Sequence, residues 1–205
     1  MNKRMFPKGA LLLAAGALLT QLHAGSDRAM SVQTTTDKVA VVYFSWSPKG
    51  NTRFAAETIA RKTNARLFEI KPEKPYSTDY RACCDEAKPE CYGKQLRPIR
   101  QIEGFDPAQF DVIFVGTPNW WGTMAPPVRT FLTTYASAFQ GKFLCLFQTN
   151  GGGGMQRCGE EFSELLAGCR LFPPKAFTGS SIRDSVTDLE NFAADRLSAR
   201  PRRKK

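Results

Sequence analysis

Three segments of this 205-residue chain combine residue types that suit ligand binding. The first is Ser45-Trp46-Ser47-Pro48-Lys49-Gly50-Asn51-Thr52, which follows an apolar run and leads into a helical pattern. It offers hydroxyl groups, a glycine for a tight turn and the free amides of a helix N-terminus. Free amides and the helix dipole both favour an anion, so this segment predicts a phosphate-binding loop. The alternative is that its Ser and Thr residues only cap the helix.

The other two segments offer an aromatic surface and exposed amides. Two adjacent tryptophans stand in Pro118-Asn119-Trp120-Trp121-Gly122-Thr123-Met124, where they could stack on a flat aromatic ligand or simply fill the end of a sheet. Four glycines stand in Thr149-Asn150-Gly151-Gly152-Gly153-Gly154, where they allow a ligand close to the backbone or make a flexible connector. If the three segments converge, the combination predicts a phosphate cradle beside an aromatic platform.

Histidine and cysteine chemistry is restricted in this sequence. His23 is the only histidine and lies in a predicted export signal, so a mature chain would have no histidine base, nucleophile partner or metal ligand. The six cysteines match no zinc motif. For an exported protein they predict structural disulfides ahead of a redox-active pair, with Cys145 as a buried free thiol. Cys158 and Cys169 lie too far apart on one predicted helix to pair with each other.

The elements that must position these segments alternate between strands and helices. Strands are predicted at 38–44, 66–71, 111–117, 142–148 and 170–177, because these runs are β-branched, aromatic or alternating. Helices are predicted at 52–63, 79–88, 128–135 and 185–197, with a further one after the glycine run. This order predicts a parallel sheet covered on both faces, a three-layer αβα sandwich. Ligands bind such sheets beyond the carboxyl ends of the strands, where the three segments lie.

A strand, then S-x-S…G-N-T, then a helix resembles the flavodoxin-like family. The segment from Trp120 to Leu132 and the Thr149-Asn150 glycine loop look very like further elements of one bacterial branch. The resemblance covers Lys38 to Leu197. It implies a five-stranded parallel sheet in the order 2-1-3-4-5 and a non-covalently bound FMN, which would carry out the redox step while the protein tunes it.

The resemblance also implies roles for individual residues. The FMN phosphate would be held by Ser45, Ser47, Gly50, Asn51 and Thr52. The loop departs from the compact family form by the insertion of Pro48-Lys49, and Lys49 could add a cation to the phosphate or disturb the loop. One side of the isoalloxazine would be lined by Pro118, Asn119, Trp120, Trp121 and Gly122. The other side would be lined by Thr149, Asn150, Gly151, Gly152 and Gly153.

Charge and hydropathy predict the domain organisation. The formal net charge is +10, but three basic residues lie in 1–24 and six in 196–205, so the rest of the chain is nearly neutral. Basic residues followed by the apolar run 9–19 predict a signal peptide at 1–24, the alternatives being an uncleaved anchor or a buried helix. Residues 25–37 predict a flexible lead-in, 38–197 the flavodoxin-like domain with an excursion at 72–104, and 198–205 a basic tail.

Two classes of function remain open from the sequence. The first is an exported, periplasmic or secreted FMN protein that passes electrons to a redox partner protein or to a small-molecule acceptor, as a carrier or as an NAD(P)H:quinone-type reductase. The excursion could cover the flavin and form a substrate pocket for the reductase. The second is an interaction protein that kept the fold and lost FMN. The near-neutral body argues against a nucleic-acid partner, and no stable membrane span is predicted for the mature form.

Overall fold

The computed structural model of the protein describes residues 38–200. The predicted signal peptide at 1–24, the lead-in at 25–37 and residues 201–205 of the predicted tail lie outside the described residues. No helix within the described range has the length and apolar character of a membrane span.

The centre of the fold is a parallel sheet of five strands. These strands are β1 (Val39–Tyr43), β2 (Arg66–Glu69), β3 (Val112–Trp120), β5 (Phe143–Asn150) and β6 (Arg170–Thr178). A short strand, β4 (Thr123–Met124), pairs antiparallel with the end of β3. The spatial order is β2-β1-β3-β5-β6, which confirms the predicted order 2-1-3-4-5 because β4 stands outside the parallel ladder.

Five α-helices connect or follow these strands. They are α1 (Asn51–Thr63), α2 (Tyr80–Tyr92), α3 (Pro126–Tyr135), α4 (Cys158–Leu165) and α5 (Val186–Ser198). The predicted excursion contains α2, which begins after an N-cap, Asp79, whose side chain accepts a hydrogen bond from the Ala82 amide. α2 runs past Pro89 and is longer than predicted, because Ala87 and Cys91 on its inner face are buried in the core.

Alternate residues of the central strands pack on opposite faces, as the apolar runs predict. Val41 and Phe114 belong to the core under α1 and α5, whereas Val42 and Ile113 belong to the core under α2, α3 and α4. The central strands are therefore buried on both faces, and the three-layer αβα sandwich is confirmed.

The sequence predicted loops at two places where the structure has the ends of strands. β3 continues through Pro118 to Trp120, and β5 continues through Thr149 to Asn150, because Pro118 pairs with Thr149 in the parallel ladder. Trp121 and Gly122 then form a two-residue turn into β4, with positive φ angles of 53° and 82°. Positive φ at both central positions matches the strand twist, so the Trp-Trp-Gly segment is a hairpin rather than an open loop.

All six cysteines are free in the structure, with Cys83, Cys91, Cys145 and Cys158 buried. The expected structural disulfides are therefore not formed, and Cys145 is the buried thiol that its mid-strand position predicts. Each of these four side chains packs within the apolar core.

Candidate functional site

A cleft of about 510 Å³ opens at the carboxyl edge of the sheet, above β1, β3 and β5. Its size lies within the range of small-molecule and cofactor sites. One side, which we call the loop wall, comes from the segment after β1, from the end of β3 and its turn into β4, and from the end of β5 with the loop that follows it. The other side, which we call the helix wall, comes from α2. Two further residues that line the cleft follow β6. Apart from α2, the lining residues are Trp46, Ser47, Asn51, Thr52, Pro118, Asn119, Trp120, Trp121, Thr149, Asn150, Gly151 and, after β6, Gly179 and Ser180.

Most of the predicted site residues converge on this cleft. The predicted residues that do not line it are Ser45, Lys49, Gly50, Gly122, Gly152 and Gly153. Gly50, Gly122 and Gly152 instead shape the backbone of the segments that do line it, through positive φ angles. Ser45 lines a neighbouring cavity, and its hydroxyl oxygen is buried without a hydrogen-bond partner.

The N-terminus of α1 faces the cleft without a side-chain cap. Gly50 is the N-cap residue, in the left-handed conformation with φ 61°, and its amide donates to the Ser47 carbonyl oxygen at 2.8 Å. No acidic residue stands in the first turn. Because a helix leaves its first amides without intrahelical partners, this end of α1 keeps both free donors and the positive end of the dipole.

A buried hydroxyl pair joins the start of α1 to the end of β5. The Thr52 and Thr149 hydroxyl oxygens lie 2.8 Å apart, although the residues are 97 positions apart in sequence. At the same end, a Cβ added to Gly179 would lie 2.6 Å from the side-chain amide nitrogen, Nδ2, of Asn51, so glycine permits this close approach. These contacts fix the start of α1 against the ends of β5 and β6.

Arg183 is a basic residue that the sequence reading missed. Its guanidinium donates to the Lys49 carbonyl oxygen at 2.7 Å and lies 4.8 Å from the centre of the Phe54 ring. It therefore braces the lengthened loop from outside and adds positive charge near the start of α1. Arg183 stands in a short 3-10 turn after the last strand, so only the fold brings it to this loop.

The two tryptophans of the hairpin have different surroundings. Trp120 packs edge-on against Phe44, Tyr76 and Trp46, with ring centroids 5.5, 4.8 and 6.2 Å away. Trp121 is 39% exposed at the turn, where its ring lies 5.9 Å from the Tyr92 ring and 5.1 Å from the Lys88 Nζ atom. The outer tryptophan is therefore the freer aromatic surface, and the inner one supports the wall.

Side-chain amides fasten the hairpin and the glycine loop to each other. Asn119 donates to the Gly154 carbonyl oxygen at 3.2 Å and accepts from the Gly122 amide at 3.0 Å. Asn150 accepts from the Gly152 and Gly154 amides at 2.8 and 3.2 Å. Asn119 and Asn150 thus hold the backbone of the loop wall in place, which is a different role from direct ligand contact.

The helix wall consists of Tyr80, Cys83, Cys84 and Ala87, all on α2. A hydrogen bond with Cys84 raises the pKa of Tyr80. Burial raises the pKa of the Cys83 thiol to about 12, so this thiol is protonated at neutral pH. The four helix-wall residues include no acidic or basic side chain. Sequence reasoning anticipated that the excursion could cover the site, but no local motif pointed to these four residues.

A buried cation anchors the helix wall. Arg97, with a side chain only 6% exposed, pairs with Glu86 at 2.8 Å and Glu90 at 2.7 Å, and its guanidinium lies 3.8 Å from the centre of the Tyr76 ring. Tyr76 donates a hydrogen bond to Glu90, and burial raises the pKa of this tyrosine. Since Tyr76 also contacts Trp120, the anchor connects α2 to the hairpin.

The residues at this cleft fit FMN. The uncapped end of α1, with Ser47, Asn51 and Thr52 beside it, suits a phosphate because it supplies amide and hydroxyl donors without a carboxylate. The partly exposed Trp121 ring suits a flat ring system. The glycines of the loop after β5 leave open space, since a Cβ at Gly151, Gly152 or Gly154 would meet no atom within 4 Å.

Comparisons with known proteins agree with the fold. The structure is similar to that of a flavoprotein in complex with FMN from Lactobacillus acidophilus NCFM, with 26% identity, a TM-score of 0.60 and coverage of 74% of this chain and 99% of that chain. It is also similar to a candidate flavoprotein from Bacteroides uniformis ATCC 8492, with 24% identity, a TM-score of 0.61 and coverage of 74% and 96%. The second similarity shows the fold alone.

The sequence comparisons give one result at family level. No curated protein matches the chain. The family model described as Flavodoxin matches residues 38–192, which is most of the chain and nearly all of the described domain. This protein therefore belongs to the flavodoxin family.

Proposed function

We propose that this chain is an FMN-binding redox protein. The observation that carries the proposal is the cleft itself, in which an uncapped helix N-terminus, a partly exposed tryptophan and an open glycine loop meet at one edge of the sheet. The FMN complex of the Lactobacillus acidophilus relative supports the same ligand for this chain. A bound FMN supplies the electron-transfer chemistry, and the protein residues bind and orient it.

Different residues along the cleft would bind different parts of FMN. The amides at the start of α1, with Ser47 and Thr52, would hold the phosphate, and Arg183 would add positive charge near the loop. Trp121 would cover one face of the ring system, while Asn119 and Asn150 keep the surrounding backbone in place. The helix wall would exclude water from part of the cleft. No side-chain acid or base is needed for these roles.

The phosphate end of this proposal can be tested with a matched pair of substitutions. Gly50→Asp and Gly50→Asn both place a side chain at a left-handed position that Asn and Asp tolerate better than other residues. Only Gly50→Asp adds a negative charge beside the phosphate. We expect Gly50→Asp to weaken FMN binding about tenfold more than Gly50→Asn, while riboflavin, which lacks the phosphate, binds both variants equally. Equal FMN affinity for the two variants would contradict this role of α1.

The helix wall favours a small-molecule acceptor over a protein partner. Tyr80, Cys84 and Ala87 stand over the same cleft as the proposed flavin residues, and the buried Arg97 anchor fixes α2 there. A wall of this kind leaves room for a small planar molecule such as a quinone more readily than for a protein surface. NAD(P)H oxidation by the FMN-loaded chain, measured with a soluble quinone and with a cytochrome as acceptors, should be faster with the quinone. Faster cytochrome reduction would favour an electron carrier.

We also propose that the protein is exported. The support is the sequence pattern of residues 1–24, in which basic residues precede an apolar run. Expression of the full chain followed by separation of periplasm and cytoplasm, with N-terminal sequencing of the mature form, tests this. Recovery of an uncleaved chain in the cytoplasm would contradict export.

A further inference from the structure

A buried ion pair lies beneath the outer strand of the hairpin. Arg129 on α3 and Glu161 on α4 come within 3.4 Å of each other, and their side chains are only 4% and 6% exposed. Burying two charges costs free energy that their attraction often barely recovers, and an apolar pair of similar size can support a fold equally well. The hydrogen bonds of the pair, rather than its contribution to stability, therefore indicate its role.

Glu161 supplies an acceptor to the backbone of this strand. Its Oε2 atom accepts a hydrogen bond from the Met124 amide at 3.0 Å. Trp120 and Thr123 form the pair that closes the hairpin, so the next residue, Met124, points its amide away from the partner strand. Met124 is completely buried, so water does not reach this amide. Without Glu161 the strand would contain a buried donor that has no partner.

Arg129 joins the same strand to the segment that follows α2. Its guanidinium donates to the Gln95 carbonyl oxygen at 3.1 Å and to the Thr123 hydroxyl oxygen at 3.5 Å. The Thr123 hydroxyl donates in turn to the carbonyl oxygen of Trp120, at 3.1 Å, directly before the turn. The two charged side chains therefore bond to both residues of β4, Thr123 and Met124.

A hairpin this short needs such support. β4 has only two residues, and a two-stranded hairpin is marginally stable by itself. The start of α4 supplies another contact, because the Arg157 amide donates to the Gly122 carbonyl oxygen at 3.0 Å. α4 thus holds the hairpin at its turn and at its outer strand, and these contacts fix the position of Trp121 at the cleft.

We propose that Glu161 and Arg129 are positioning residues for the flavin ring. Glu161 holds the Met124 amide, and Arg129 neutralises this carboxylate and holds Thr123. Together they fix the hairpin that carries Trp121. The proposal rests on the flavin-binding role of the cleft. It assigns the pair to the ring end of the cofactor, since the hairpin carries the tryptophans and the start of α1 carries the proposed phosphate donors.

The test compares two double variants that carry the same charge. Arg129→Met/Glu161→Gln removes both charges but keeps a side-chain oxygen for the Met124 amide. Arg129→Met/Glu161→Leu removes both charges and that oxygen. Neither leaves an unpaired buried charge, which would itself lower stability. We expect the first double variant to bind FMN within about threefold of the wild-type affinity, and the second to bind it about tenfold more weakly.

Riboflavin separates this role from that of the phosphate loop. Because the pair acts at the ring end, the second double variant should weaken riboflavin and FMN by the same factor. A loss confined to FMN would place the effect at the phosphate and overturn the proposal. The control is Glu164→Gln, a partly exposed glutamate of α4 that pairs with Lys94 at the surface, and it should leave both affinities unchanged.

Amide hydrogen exchange of the flavin-free chain gives a readout that does not depend on FMN. We expect faster exchange at Gly122, Thr123 and Met124 in the second double variant and unchanged exchange in α1. Thr123→Val is a smaller change in the same network and should weaken both flavins about threefold, so the proposal stays testable if the second double variant does not fold.

Equal flavin affinities and equal hairpin exchange in the two double variants would overturn the proposal. An effect of Glu164→Gln as large as that of the second double variant would do the same. If the wild-type chain bound no flavin, the proposed function would fail, and the exchange result alone would decide whether Glu161 holds the hairpin.

Discussion

The loop wall and the helix wall enclose one cleft, but different forces hold them in place. The loop wall is fixed by strand pairing, by the Thr52–Thr149 hydroxyl pair and by the Asn150 side chain. The helix wall is fixed by the buried Arg97 and its two glutamates. The loop wall thus keeps free amides that can face a ligand, whereas the helix wall supplies mainly shape. We expect substitutions in the two walls to separate ligand affinity from stability.

The largest expected effect is on the anchor of the helix wall. Arg97→Met removes a buried cation and leaves Glu86 and Glu90 without it, which should lower the free energy of unfolding by about 3 kcal/mol. Arg53→Met is the matched control, because Arg53 pairs with Glu69 at the surface with its side chain 50% exposed, and its loss should cost less than about 1 kcal/mol. Urea unfolding of both variants gives the comparison. Equal losses of unfolding free energy in the two variants would show that the buried ion pairs of Arg97 stabilise the fold no more than a surface ion pair does.

The next prediction separates the two tryptophans of the hairpin. Trp120→Ala should lower the free energy of unfolding by about 2 kcal/mol, since the ring is packed against three other aromatic rings. Trp121→Ala should lower the free energy of unfolding by less than about 1 kcal/mol, because its contacts with Lys88 and Tyr92 lie at the surface, but it should weaken FMN binding about tenfold. Denaturation and flavin titration of the same two variants measure both quantities. The reverse pattern would mean that Trp120 is the stacking residue.

The hydroxyl pair of the loop wall should have a smaller effect on stability. Thr52→Val leaves the Thr149 hydroxyl buried without its partner and should cost about 1 kcal/mol, and Thr149→Val should do the same. The double variant removes both polar groups, so its loss should be less than the sum of the single losses. A double-mutant cycle from urea unfolding measures the coupling. Additive losses would mean that the two hydroxyls do not stabilise each other.

The prediction with the smallest expected effect on the protein concerns the reactivity of its thiols. Cys84 and Cys169 are partly exposed, whereas burial raises the pKa of Cys83, Cys145 and Cys158 to about 12 and of Cys91 to about 11. At about pH 8 the folded protein should therefore react with a thiol reagent at Cys84 and Cys169 only, and at all six cysteines in urea. Because these four pKa values are raised in the folded state, their contribution to stability is present below about pH 9 and is lost at higher pH. Fewer than six reactive thiols in urea would indicate disulfides.

The sequence predicted the loop wall better than the helix wall for a physical reason. The loop wall follows the ends of strands that are apolar on both faces, and such strands can be recognised from a few adjacent residues such as Val39–Tyr43. Parallel pairing then brings their carboxyl ends together, so Ser47, Trp121 and Thr149 could be placed at one edge without coordinates.

The helix wall depends on contacts between distant residues. Arg97 lies beyond the end of α2 and reaches back to Glu86 and Glu90, and nothing in the spacing of these charges distinguishes a buried anchor from a solvated face. Arg183 reaches Lys49 across 134 positions for the same reason. Gly179 and Ser180 follow the last strand, so the carboxyl-end rule applied to β6 would have found them.

The central claim is that the cleft binds FMN, and equilibrium dialysis of the full chain against FMN tests it most directly. Protein and free flavin are quantified by absorbance on the two sides of the membrane. We predict saturable binding of one FMN per chain, with weaker binding of riboflavin and a shifted flavin spectrum in the protein compartment. Equal flavin concentrations on both sides over the whole titration would contradict the claim, and would favour an interaction protein that kept the flavodoxin fold without the cofactor.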